Sequence, residues 1–482
     1  METSKQPRPL RPRETRNFEV LRIPLKISEA LAERIHVRPT QQAAAIGLLL
    51  LLVAVYFWPV IFRGEVIAPT DLLLQFNPWS SLAPDGFSVK NHLRSDIVDA
   101  SIPRSQLFRE AITDGDFPLW TPLHSQGRPF ASNLLGSFFH PFKALLLLPL
   151  LQGLSLFFMA KLFAAGLFMY LFLRRLGVGQ AGSLLGSIAY MFSGFNVVWL
   201  MWSHTTVSSF APLLFLQTEN LLRRPTPGNV AFLSLAIALM VLGGFPAVAG
   251  YFFYAVGLYF IVRLAQIVLK DRIARKALRT VGAFCLSFAL GAGLTAFLIL
   301  PSLEYARFID VGYRESLSLI GMPVDRAVQL VFPNFFGNQV FGSFHGSGNL
   351  NESSGYVGIV TLLIACFGFA VGLKWRRVAP AFFGGLTLLS FLIIYDIGPF
   401  LSLVSHLPIF DLNLNTRTLS VFGFAAAATA AFGFDELLRI RLAGWQRLAV
   451  PLGLAASAMF LAGIVAFLAH EMIGRRAFLT DF

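Results

Sequence analysis

Long apolar runs alternate with short basic stretches along most of this chain. A hydrocarbon core is crossed by roughly 20 apolar residues in a helix. Runs of that kind fall at 43–62, 154–173, 181–201, 206–222, 229–243, 245–269, 279–300, 355–373, 380–396, 417–438 and 448–469. The pattern predicts an all-α polytopic membrane protein with about 11 (10–13) transmembrane helices. The run Leu145–Leu151 is too short to cross. It is expected to be re-entrant or to merge with an interfacial helix.

The basic residues give these spans a direction. Clusters stand at Arg174-Arg175, at Arg223-Arg224, from Lys270 to Arg279, from Lys374 to Arg377, and at Arg439, Arg441 and Arg447. Short cytoplasmic loops concentrate Lys and Arg. Eleven spans and a cytoplasmic N-terminus put every cluster inside, and the C-terminus outside. Residues 1–42 then form a basic cytoplasmic tail, expected to be disordered. Residues 43–470 form the membrane domain, and 471–482 a short outer tail. The tail is not a signal peptide, because it precedes the first apolar run and no small-residue cleavage site follows. The same orientation places loops 63–153, 301–354 and 396–416 outside.

The first outer loop carries a helical pattern of its own. Ser95-Asp96 reads as a helix start, and Ile97, Ala100, Leu107 and Ala111 form a loose apolar stripe. Pro103 is expected to kink or split this helix, and Gly115 and Pro118 to end it. Such a helix would lie in the membrane interface.

Composition agrees with a membrane protein. The chain has 482 residues, 55% hydrophobic and 13% charged. Soluble proteins carry about 25% charged residues. The two cysteines, Cys285 and Cys366, sit in apolar runs, so no disulfide framework or thiolate metal site is available. The net charge of +13 could suggest a nucleic-acid partner. Nine Lys and Arg in the first 42 residues, and others at the ends of spans, mark topology instead. No nucleic acid is expected.

Phosphate-loop, zincin, Cys-x-x-Cys and nucleophile-elbow motifs are all missing from the sequence. The polar residues of the outer loops are the candidates that remain. Asp71, Asp96 and Asp99 lie in the first loop. Asp96 and Asp99 are three apart, so on an α-helix they share a face, as a base or a cation-holding pair would; they could equally cap the helix. Arg128 could grip a phosphate or simply meet lipid headgroups. His204, at the tip of a hairpin, could be a ligand or a solvated interface residue. Glu304 and Arg307 could pair with each other. Arg314 and Glu352 belong to the second long loop. Arg417 opens a span at its outer end, where the charge bias disfavours a cation, and Asp411 nearby is a candidate partner. Lys161 lies inside a span and is a functional candidate by default.

Taken in order, several short motifs resemble the YfhO family of bacterial membrane proteins. They are Ser95-Asp96-Ile97-Val98, Phe117-Pro118-Leu119-Trp120-Thr121-Pro122, Gly127-Arg128-Pro129-Phe130-Ala131-Ser132-Asn133 and Phe138-Phe139-His140-Pro141. Arg174-Arg175-Leu176-Gly177, Phe192-Ser193-Gly194-Phe195, Leu300-Pro301-Ser302-Leu303-Glu304, Pro333-Asn334-Phe335-Phe336-Gly337 and Gly355-Tyr356-Val357-Gly358 follow. The resemblance covers residues 60–440. It departs at Trp120-Thr121-Pro122, where the family carries tryptophan-asparagine-proline, and in a shorter C-terminal part. The resemblance implies a GT-C-like fold and an inverting glycosyltransferase of the cytoplasmic membrane. Such an enzyme moves a sugar from a polyprenyl-phosphate donor to a cell-envelope glycan, lipid or protein acceptor on the outer face. It also implies a catalytic or metal-binding acid in the first outer loop, Asp71 or the Asp96/Asp99 pair. That pair would hold a divalent cation, Mg or Mn, if one is used. Asp99, Arg128, His204, Glu304, Arg314, Glu352 and Arg417 are the candidates for substrate binding. A transporter or flippase for a lipid-linked glycan, or a non-catalytic scaffold of the same fold, are the alternatives. Polar groups concentrated on one face, without an internal repeat, argue against alternating access.

Overall fold

The computed structural model describes residues 39–439, apart from 90, 123–126, 131–137, 272–273, 311 and 347. The chain divides into units 1–42 and 43–482, and almost all of the first lies outside the described residues. The expected tails and the run 448–469 also lie outside them.

The described fold is helical, and its one sheet is an antiparallel pair of two-residue strands with Thr121 opposite Arg128. The longer helices are α1 (Pro39–Tyr56), α2 (Ile102–Thr113), α3 (Leu150–Arg175), α4 (Gln180–Met191), α5 (Ser203–Arg223) and α6 (Pro227–Leu242). They continue with α7 (Pro246–Asp271), α8 (Ala274–Leu294), α9 (Ala296–Ala306), α10 (Ile359–Lys374), α11 (Val378–Ile394) and α12 (Leu419–Arg439). Among the described residues, five helices are long and apolar enough to cross a membrane: α1, α3, α7, α8 and the segment ending in α12. α6, α9, α10 and α11 are apolar but shorter.

Several expected spans differ in detail, each for a physical reason. The run 279–300 is divided between α8 and α9 at Thr295, whose hydroxyl turns back onto the Gly291 carbonyl. The run 181–201 breaks after α4. Ser193 is extended, and a five-residue helix, Gly194–Val198, follows. Buried Asn196 holds the break, donating to the Tyr190 carbonyl at 2.8 Å and accepting from Ser208 Oγ of α5 at 2.5 Å. Leu150 and Leu151 start α3, whereas Pro141–Leu147 forms a separate 3-10 helix.

α12 is the central helix. Its run Ala425–Ala428 is completely buried, and α4, α10 and α11 pack around it. Small side chains let backbones approach closely, which suits packing where apolar solvent supplies little drive of its own. Gly368 of α10 and Gly433 of α12 meet directly: a Cβ on Gly368 would lie 2.5 Å from the Thr429 carbonyl. A layer of rings, Phe172, Phe215, Tyr259, Phe383 and Phe424, fills the space between α3, α5, α7, α11 and α12.

The C-terminal ends of α3, α5 and α12 share one end of the bundle. There Arg223 donates to the Arg175 carbonyl at 2.8 Å, the Gly179 amide donates to Asp435, and Arg377 pairs with Glu436 at 2.6 Å. Slightly deeper, the buried carboxylate of Glu219 bridges Arg223, Arg263 and the Tyr259 hydroxyl, tying α5 to α7. A buried carboxylate is tolerated because every lone pair finds a donor.

Candidate functional site at the opposite end of the bundle

At the other end of α3 and α5 the structure forms a cavity of about 420 Å³. Small-molecule pockets run roughly 300–1,000 Å³. Five stretches of chain meet around it: the first long loop, the start of α3, the turn 199–206, the turn 244–245 and the segment 349–352, with Arg417 closing it.

The first-loop helix begins at Ser95, and widens to a π-turn over Ile97–Ser101 before Pro103 starts α2. Proline has no amide hydrogen to give the previous turn, so a change of winding just ahead of it is expected. The wider winding separates Asp96 from Asp99. Asp96 lines the cavity, whereas Asp99 is exposed and does not. The expected shared face is therefore corrected. Among the described residues, no group of three or more His, Cys, Asp or Glu is placed to hold a metal ion.

Arg104 and Lys143 line the same cavity. Arg104 occupies the empty position in the apolar stripe Ile97, Ala100, Leu107, Ala111, and its guanidinium lies 5.4 Å from the Phe138 ring. Lys143 is 6% exposed, with its ammonium 4.6 Å from the Phe157 ring. Burial, reinforced by Arg104, brings its pKa down to about 7. His140 caps the same 3-10 helix by accepting from the Phe142 amide. Burial and then the neighbouring lysines lower its pKa to about 3, so it stays neutral.

The break after α4 shapes the next wall. Trp199, Met201, Trp202 and His204 come from it. Lys161 of α3 is completely buried and donates to the carbonyls of Leu200 and, at 3.1 Å, Trp202. This buried cation thus props the turn through carbonyl groups. His204 is 5% exposed and stacked between Trp199 at 4.0 Å and Phe245 at 3.5 Å, and neither ring nitrogen has a partner. The reading of His204 as a solvated tip is therefore corrected: it is a sandwiched ring at the cavity wall.

Arg417 makes a fork with Glu352, with Nη2–Oε1 at 2.6 Å and Nε to both carboxylate oxygens at 3.1 Å. Its guanidinium also lies 5.2 Å from Phe245 and 5.4 Å from Trp199. The anticipated partner, Asp411, is replaced by a residue from the preceding long loop. Asp96, Arg104 and Lys143 line the same cavity as this matched pair.

Of the sequence candidates, Asp96, His204, Glu352 and Arg417 come together here. Asp71, on a short 3-10 helix at Thr70–Gln75, does not line the cavity, nor do exposed Glu304 and half-buried Arg314. Arg128 is placed by its backbone in the small sheet, and its side chain lies outside the described part. Arg104 and Lys143 were not anticipated. The signals for them are a cation in the stripe position of an amphipathic helix and a lone lysine inside Phe142–Leu148.

No curated protein matches this sequence. A family model described as bacterial membrane protein YfhO matches residues 86–473, a stretch that contains every charged residue of the cavity, and the chain belongs to that family.

Proposed function

We propose that this protein is a GT-C-type glycosyltransferase of the bacterial cytoplasmic membrane. It transfers a sugar from a polyprenyl phosphate to a hydroxyl acceptor on the outer face. The chain crosses the bilayer about eleven times in this reading, with a cytoplasmic N-terminus. The observation that carries the proposal is the cavity itself, which the exposed residue Asp96 lines together with Arg104, Lys143 and the Arg417–Glu352 fork.

The chemistry follows from these groups. The acceptor hydroxyl gives its proton to Asp96 as its oxygen bonds to the anomeric carbon. The bond from that carbon to the phosphate oxygen breaks, and its electron pair stays on the phosphate. Preorganised cations stabilise the charge that develops there, far more than they would in water. Arg104 and Lys143 carry this role, with Arg417 able to present a planar pair of donors. A phosphate leaving group needs no general acid. One displacement inverts the anomeric centre.

Asp96→Asn keeps the side chain's shape and removes the proton acceptor. Loss of general-base help typically costs about 10²–10⁴-fold in rate. Sugar transfer from a polyprenyl-phosphate donor by purified protein should fall by that much in Asp96→Asn and hold in Asp71→Asn. A near wild-type rate in Asp96→Asn would overturn the assignment.

A further inference from the structure

A second cavity, about 510 Å³, opens beside α1. Leu52, Val55 and Tyr56 of α1 form an apolar side, and Val55 is 59% exposed at the bundle surface. Gln329, Asn334 and Asn338 form the facing polar side, and no charged residue lines this cavity. The contrast with the first cavity is chemical: amides and hydroxyls here, ammonium and carboxylate there.

Three of the short motifs noted in the sequence meet here. Phe192 and Gly194, Pro333 and Asn334, and Tyr356 all line the cavity, and the Gly194 amide donates to the Tyr356 carbonyl at 2.6 Å. Asn338 donates to Asn334 at 3.1 Å. Gln329 is different. It is 2% exposed, its amide nitrogen reaches the Pro333 carbonyl at 3.4 Å, and its Oε1 has no partner. A buried acceptor left unpaired is costly, and a donor from a ligand would satisfy it. The two cavities share a wall. Along 349–356, Asn349, Asn351 and Glu352 line the first, whereas Leu350, Ser354 and Tyr356 line the second.

We propose that the second cavity binds an uncharged membrane lipid with a hydroxyl-bearing headgroup, of the diacylglycerol class. Its tails lie against α1 and its hydroxyl donates to Gln329. A charged headgroup would be desolvated there with no counter-charge among the lining residues. A water-soluble ligand would have no use for a wall open to the bilayer at Val55. That this lipid presents the acceptor hydroxyl rests on the transfer proposed above; its binding does not.

The test is native mass spectrometry of the full chain, loaded with dioleoylglycerol in competition with dioleoyl-phosphatidylglycerol. Dioleoylglycerol should bind and resist displacement by an equal amount of the anionic lipid. Val55→Trp, which fills the cavity from an exposed position, and Gln329→Glu, which places a charge in it, should each weaken binding about tenfold or more. Unchanged dioleoylglycerol binding in Val55→Trp, or equal displacement by phosphatidylglycerol, would overturn the proposal. Intact binding together with wild-type transfer in Asp96→Asn would remove the transfer reading and leave this site standing.

Discussion

Lys143 shows how one residue's surroundings set its chemistry. An ammonium in low dielectric loses hydration, and a nearby guanidinium adds to the cost, so it holds its proton only to about pH 7 instead of 10.5. Between these values the unfolded chain binds more protons than the folded one. This group therefore makes the fold more stable as pH rises from about 7 to 10.5, and below that window its burial cost is constant. A bound phosphate reverses the preference by favouring the charged form. Binding of a polyprenyl phosphate near pH 8 should then take up a proton, measurable by titration calorimetry in buffers of different ionisation enthalpy. Lys143→Arg should bind without that uptake, and uptake unchanged in Lys143→Arg would assign it to another group. Legibility at this scale was uneven. Asp96, His204, Glu352 and Arg417 could be picked out because polar residues beside apolar runs demand a reason. The Arg417 partner could not, because Glu352 lies 65 residues away and Asp411 only six. Lys143 was hidden by its apolar neighbours, whose rings are what bury it.

At the scale of elements, hydropathy locates most helices and misses where they break. The run 181–201 reads as continuous because Ser193 and Gly194 are small and scarcely dent an apolar average. The break is fixed by partners distant in sequence, the Tyr356 carbonyl and Ser208, which no local window contains. Yet this break carries Trp199 and His204 into the cavity, so the least legible part of the fold builds the site. Packing of α10 on α12 is a further element-scale property, visible as glycine and alanine on both helices. Gly368→Leu should force the helices apart at Thr429 and Gly433 and cost about 1–3 kcal/mol. Gly282→Leu on α8 should be nearly neutral, since nothing lies within 4 Å of its added Cβ. Thermal unfolding of the two variants in one detergent measures the difference; equal midpoints would show that the α10–α12 contact yields without strain.

The whole molecule has two chemically different ends, and that polarity bears on which side of the membrane the chemistry faces. One end gathers Arg175, Arg223, Arg377 and Arg439, matched in part by Glu219, Asp435 and Glu436. The other gathers the charged cavity, with the first long loop folded over it. Lys and Arg in short loops stay on the cytoplasmic side, so the arginine end should face the cytoplasm and the cavity should face out. Arg417, at the start of a span, runs against this charge bias, and its fork with Glu352 offsets its charge: a cation matched at the cavity wall carries little net topological signal. Asp85 in the first long loop and Arg224 after α5 are both exposed, and make suitable reporters. In a background with Cys285 and Cys366 replaced by alanine, Asp85→Cys should react with a membrane-impermeant maleimide in intact spheroplasts. Arg224→Cys should react only after lysis. Labelling of Arg224→Cys in sealed spheroplasts, with Asp85→Cys protected, would invert the molecule. The cavity would then open to the cytoplasm, and an outward-facing polyprenyl-phosphate donor could not reach Asp96.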